Sequence, residues 1–154
     1  MKIHREPLGD KAQTANAMYK LITDYYKDLD TVYVKKDGKN MPVSKLSLKD
    51  YFNLVKRFPY KTDTKPKEII ARPYILFKEK DTGLDCKKKS ILLGAYLKYH
   101  KIPFRLIGSS SRSDQSIHHV FPQLKLFGEW KNCDATYPDY KLYQPKEVTA
   151  YEIL

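Results

Sequence analysis

The sequence predicts an α+β fold in which a central helix packs on a small antiparallel sheet, with further helices on its N-terminal side. Three observations carry this. Residues 86–99 are apolar around most of a helical circumference, through Ile91, Leu92, Leu93, Ala95, Tyr96 and Leu97, as in a helix buried on all sides. Upstream, Ala15, Met18, Tyr19, Ile22, Tyr25, Tyr26 and Leu29 recur at three- and four-residue steps, which is one apolar helical face. Downstream, Phe104–Ile107, Ile117–Leu126 and Trp130–Ala135 are short runs rich in aromatic and β-branched residues, separated by Gly- and Ser-bearing segments.

Taken in order, Gly9-Asp10 marks a helix start, with Asp10 as its cap and an end near Asp28. Thr31–Val34 reads as a short strand and Lys36–Asn40 as a turn. Ser47-Leu48-Lys49-Asp50 has a capping-box arrangement, with Leu46 set to pack on Tyr51, and the second helix carries Leu48, Phe52, Val55 and Phe58 inward before Pro59 stops it. Residues 61–67 form a polar loop, Glu68–Ala71 leads on, and Pro73 opens a short helix to about Lys80, since proline at a first turn gives up only an N–H that would be unpaired anyway. Asp85 is placed to cap the central helix from Cys86 to about Tyr99, whose Ser90 and Gly94 form a small stripe for close approach. His100 falls at its end, where the helix dipole favours a cation. Residues 117–126 and 130–135 then form a hairpin around Phe127-Gly128-Glu129, and a closing strand is expected over Val148–Ile153.

A chain of 154 residues is expected to be one domain, 1–154, able to bury a core without staples. No apolar run is long enough for a membrane span and the N-terminus lacks a signal peptide's apolar core, so a cytoplasmic protein with no membrane partner is expected. Two cysteines make no disulfide framework, and no Cys/His spacing suits zinc, so neither metal nor cofactor is expected. The net charge of +11 invites a nucleic-acid reading. Yet only five of the 29 basic residues are arginine and the lysines are scattered, which points to a solvated surface rather than to nucleic acid as main partner.

The chemistry-bearing residues are Cys86, His119 and Asp134. Unpaired N–H groups at a helix N-terminus stabilise a thiolate, and Lys87, Lys88 and Lys89 add positive potential; the bland alternative for Cys86 is a small apolar core residue. Side chains alternate along a strand, so a hairpin loop with an even number of residues sets His119 on the same side as Asp134, whereas an odd loop sets His118 there. Even loops are frequent, favouring His119, with His118 the alternative base. Cys133 then points to the opposite face as core, and Trp130, on the site's side, is placed to shield the Asp–His bond. Thiol, imidazole and carboxylate in this order suit a nucleophile, its base and the group orienting the base.

These motifs resemble the transglutaminase-like superfamily: Gly83-Leu84-Asp85-Cys86 followed by Ser90-Ile91-Leu92-Leu93, then Lys101-Ile102-Pro103-Phe104-Arg105, His119-Val120-Phe121, and Trp130 through Asp134-Ala135-Thr136. The similarity covers residues 46–137, leaving 1–45 as an N-terminal helical extension, and is greatest to the compact versions of tailed bacteriophages. Lys101 stands where the family has Gly, Ala135 where it has Pro, and Lys87-Lys88 where it has an acidic pair. The resemblance implies a papain-like core, and acyl transfer at an amide of a protein or peptide substrate, by hydrolysis or transamidation, through Cys86, His119 and Asp134. It also implies an oxyanion site made by the Cys86 amide N–H and one further donor, for which Tyr60 and Tyr74 are candidates. The alternative it carries is a non-catalytic component of a phage virion or its assembly machinery, partnered by phage structural proteins.

Overall fold

A computed structural model describes residues 8–62 and 70–154, with side chains from residue 13. It is a mixed α+β structure whose elements run α1 (Leu8–Tyr25), a 3-10 turn (Tyr26–Asp30), β1 (Tyr33–Lys36), β2 (Lys39–Pro42), a second 3-10 turn (Val43–Lys45), α2 (Leu48–Arg57), α3 (Pro73–Lys78), α4 (Cys86–Tyr99), β3 (Phe104–Ser110), β4 (His119–Leu126), β5 (Glu129–Asn132) and β6 (Ala150–Ile153). The expected cap at Asp10, and most of the loop with Glu68, lie outside the described side chains and residues.

The main sheet is antiparallel with order β5-β4-β3-β6. Its concentration of hydrogen-bonded strands behind one helix is what the all-round apolar sequence of α4 requires, because that helix has apolar surface to bury on every side. Accordingly α4 packs on β3 and β4 and also on α1, α2 and α3, and Ile91, Leu92, Leu93, Ala95 and Leu97 are fully buried. The small stripe is used twice. Ser90 donates its hydroxyl to the Val120 carbonyl of β4 at 3.2 Å, and a Cβ at Gly94 would meet Ile22 Cδ1 of α1 at 2.5 Å. Tyr51 and Tyr96, both buried, spend their hydroxyls on the carbonyls of Leu92 and Leu46 at 2.6 Å each, so their burial leaves no polar atom without a partner.

Helix α2 begins as its sequence predicts, with Ser47 Oγ accepting from the Asp50 amide at 3.1 Å. His100 is at the end of α4, bonded to the Ser44 carbonyl at 2.8 Å. Residues 31–40 differ from expectation. A second strand, β2, pairs antiparallel with β1 across Asp37-Gly38, both with positive φ (52° and 77°), as a two-residue hairpin demands. The polar sequence Lys39-Asn40 concealed it, because this ribbon lies at the surface and needs no alternating apolar face. No helix among the described residues is long and apolar enough to cross a membrane.

Candidate active site

The three predicted side chains come from the start of α4, the start of β4 and the segment just after β5. Gly83 makes the approach to α4 possible. Its φ of +113° is open to glycine, and any Cβ there would sit 2.7 Å from Lys61 Cβ. The close approach lets Leu84 exchange backbone bonds with Pro59 and Lys61, bridging it to Tyr60. Asp85 then caps the helix, its carboxylate accepting from the Lys88 amide at 2.9 Å. Cys86 is thereby the first helical residue, a free thiol, 5 % exposed.

The hairpin joining β4 to β5 turns in two residues, Phe127 and Gly128, both with positive φ, and pairs Leu126 with Glu129. The loop is therefore even. His119 and Asp134 share a face, and His119 Nε2–H donates to Asp134 Oδ2 at 2.6 Å. Cys86 lies beside the same ring, close enough for its charge to act on the imidazole. Burial pushes the imidazole toward its neutral form, but the bond to Asp134 and the Cys86 sulfur beside the ring outweigh burial and hold its pKa up at about 9. Burial pushes the Asp134 carboxyl up in turn; the His119 and Lys146 cations beside it prevail and hold it down at about 2. Its second oxygen, Oδ1, accepts from the Thr136 amide at 3.0 Å and the Thr136 hydroxyl at 2.6 Å, which fixes the carboxylate plane.

His118 faces elsewhere. Its Nε2 accepts from the Ser111 amide at 3.0 Å, and burial together with Arg112 and His119 lowers its pKa. Cys133 is wholly buried on the opposite face, where burial and the neighbouring Asp134 charge push its thiol up. Tyr60 lies at the site. Its ring packs against that of Tyr137, ring centres 4.9 Å apart and tilted by 41°. Burial, then Tyr60, Tyr140 and Cys86 as neighbours, push Tyr137 up to about 12. Tyr60 and Tyr137 are each 37 % exposed, so the pair is a lip of the site open to solvent.

Three expectations are corrected. Trp130 pairs with Lys125, six residues along β4 from His119 and so roughly 20 Å away at ~3.3 Å per residue. It stacks under the Arg105 guanidinium at 4.2 Å and shields nothing at the triad. Phe121 takes that place, its ring stacked on the His119 imidazole at 5.8 Å. Tyr74 is held at another junction, its amide on Asp28 at 3.1 Å and its ring under the Lys78 ammonium at 4.5 Å; no described hydrogen bond or ring contact joins it to the triad. Lys89, finally, adds no open positive potential beside Cys86. It is 1 % exposed, and its ammonium donates to the carbonyls of Phe58 (2.7 Å), Thr136 (3.0 Å), Ala135 (3.3 Å) and Lys56 (3.4 Å). Burial lowers its pKa to about 8 against the opposing pull of Asp134. Lys89 thus ties the end of α2 to the residues that hold Asp134.

Sequence reading missed Lys146 altogether. Its ammonium meets Asp134 Oδ2 at 2.6 Å, from an irregular segment with no periodicity to flag it.

No family model and no curated protein matches the sequence. Among solved structures, the chain is similar to a crystal structure named a "Putative Cysteine Protease", from Cytophaga hutchinsonii, with TM-score 0.47 and 14% sequence identity. The likeness covers 89% of this chain and 50% of that one, so the chain spans about half of its length. At that TM-score it carries no weight for activity.

Proposed function

We propose that the protein is a cysteine-dependent acyl transferase or hydrolase acting at an amide bond of a protein or peptide, similar in mechanism to the transglutaminase-like enzymes. One observation carries this reading: a single imidazole, that of His119, is hydrogen-bonded at Nε2 to the Asp134 carboxylate and lies beside a thiol that opens a helix, near enough to feel its charge. In this mechanism the Cys86 proton passes to His119 Nδ1, and the sulfur attacks the amide carbonyl. His119 returns the proton to the departing amine, leaving a thioester on Cys86. Water or a second amine, deprotonated by His119, then attacks that thioester and frees the thiol. Asp134 keeps Nε2 protonated throughout, fixing the tautomer that aims Nδ1 at the sulfur. The oxyanion is held by the Cys86 amide N–H with Tyr60 at the lip as the second donor.

An activated ester tests this without knowledge of the natural substrate. On mixing with p-nitrophenyl acetate the wild type is expected to release a burst of nitrophenol and to carry an acetyl group on Cys86, located by peptide mass spectrometry. Cys86→Ser is expected to give no burst. Acetylation spread over surface lysines, with Cys86 unmodified, sinks the reading.

A further inference from the structure

Asp134 Oδ2 has two cationic partners, not one. His119 Nε2 and Lys146 Nζ both lie at 2.6 Å from that same oxygen. The Lys146 side chain is only 15 % exposed, and its ammonium sits 4.1 Å from the Tyr140 ring centre and 5.0 Å from that of Phe121. Phe121 is the ring stacked on His119, so one aromatic side chain flanks both cations that share the Asp134 oxygen. The segment carrying Lys146 is itself tied down on both sides: Tyr143 N–H donates to the Asn132 carbonyl at 2.9 Å, and Thr149 N–H to the Ser110 carbonyl at 2.8 Å. This is a seated cation between two rings, unlike the swinging surface lysines that contribute little to an ion pair.

We propose that Lys146 is a positioning residue of the reaction: it shares the Asp134 carboxylate with His119 and so limits how tightly the imidazole holds the proton it must give to the leaving amine. The inference rests on the nucleophile reading above. Unopposed, Asp134 would bind the imidazolium so strongly that proton return became slow; a second cation on the same oxygen removes part of that pull. Among the described residues, the other charged or titratable groups facing the pair are Cys86 beside the ring, His118 next to it, Lys89 acting on Asp134 from α4, Tyr137 near Cys86, and Tyr140 against the Lys146 ammonium. Among the described residues, only Lys146 shares with His119 the oxygen that it uses.

The sign follows from removing a positive charge. Without Lys146, both sulfur and imidazole hold their protons to higher pH, and the pH profile of Cys86 reactivity moves upward. The test is carboxamidomethylation of Cys86 by iodoacetamide across pH 5–9 in the full chain, read on the Cys86 peptide by mass spectrometry. Lys146→Gln is expected to shift the rising limb up by about 0.5 to 1 pH unit, which slows labelling roughly 3- to 10-fold on that limb. Lys146→Arg is expected to restore the wild-type profile. Lys146→Met keeps the stem against Phe121 and Tyr140 without the charge, and is expected to shift as Gln does. A Gln or Met profile superimposed on wild type overturns the inference and leaves the nucleophile reading standing, as does an Arg profile displaced as far as Gln. A wild-type profile like that of free cysteine overturns the nucleophile reading, and the role of Lys146 with it.

Discussion

Two buried carboxylates, Asp28 and Asp134, are held by nearly the same device and serve opposite ends. Asp28 accepts from Arg72 Nε at 2.9 Å, Arg72 Nη2 at 2.6 Å and the Tyr74 amide at 3.1 Å, and it staples α3 to the turn after α1. Asp134 accepts from His119, Lys146 and twice from Thr136. Burial opposes ionisation in both, and cationic partners prevail in both. The difference lies in the partner. Arginine keeps its charge at every accessible pH and grips two oxygens in a fixed fork, so the Asp28 cluster has one state. Histidine can lose its proton, so the Asp134 cluster has two, and only a two-state cluster can pass a proton to and from a neighbouring thiol.

The largest consequence falls on turnover. Asp134→Asn keeps an acceptor for Thr136 but allows the amide to present N–H to the ring, favouring the tautomer with its proton on the wrong nitrogen. Deacylation of the acetyl enzyme is expected to slow by roughly 10³- to 10⁴-fold, the size seen when a triad carboxylate is neutralised. The matching change at Asp28 is expected to leave that rate within a factor of about two. A comparable loss in both variants would erase the distinction between the clusters.

Next in size is pH dependence of stability. His119 is raised from 6.5 to about 9, so the stabilisation it contributes as imidazolium is complete below about pH 6.5 and is lost as pH rises through about 9. At about 1.4 kcal/mol per unit, this amounts to at most about 3 kcal/mol. Asp134, lowered from 3.8 to about 2, contributes above 3.8 and loses its share as pH falls through about 2. Melting curves of wild type and His119→Gln should therefore differ most near pH 6 and converge toward pH 9.5. A constant gap over that range would mean that the imidazole does not titrate in the fold as described.

Asp28 is the place for a purely structural loss. Asp28→Ala leaves the Tyr74 amide without its acceptor and Arg72 without its counter-ion. Breaking a buried pair costs about 3–5 kcal/mol, and the 44% exposure of the Arg72 side chain lets water relieve part of it, so about 2 kcal/mol is expected by urea denaturation. Labelling of Cys86 at pH 6 should be unchanged. A loss of Cys86 reactivity in this variant would show that the α3 staple reaches the site.

The contrast also explains what could be read in the chain. The start of α4 was legible because cap and periodicity agree on it: Asp85 has a short acceptor side chain and the apolar run begins at once. The face shared by His119 and Asp134 was legible because strand alternation reduces the question to the parity of a loop. Lys89 misled because three consecutive lysines look like a solvated turn, and only tertiary structure supplies the four carbonyls that make its burial tolerable. Lys146 was invisible for a related reason. Its contact depends on where an irregular segment of prolines and tyrosines crosses the sheet, and no local rule places a coil residue against a distant carboxylate. Trp130 failed through distance: alternation gives the face of a strand but says nothing of position along it.

The smallest effect sharpens this last point. Trp130 and Phe121 lie on one face of the same hairpin, yet only Phe121 touches His119. Trp130→Leu removes the stacking of the Arg105 guanidinium, worth about 0.5–1 kcal/mol at a partly exposed position, and should leave Cys86 acetylation unchanged. Phe121→Leu removes the ring that flanks both the imidazole and the Lys146 ammonium while keeping apolar bulk. It is expected to slow acetylation severalfold and to cost more stability, because Phe121 is buried. If the two variants changed the rate alike, the support for His119 would have to come from the sheet as a whole rather than from the ring stacked on it.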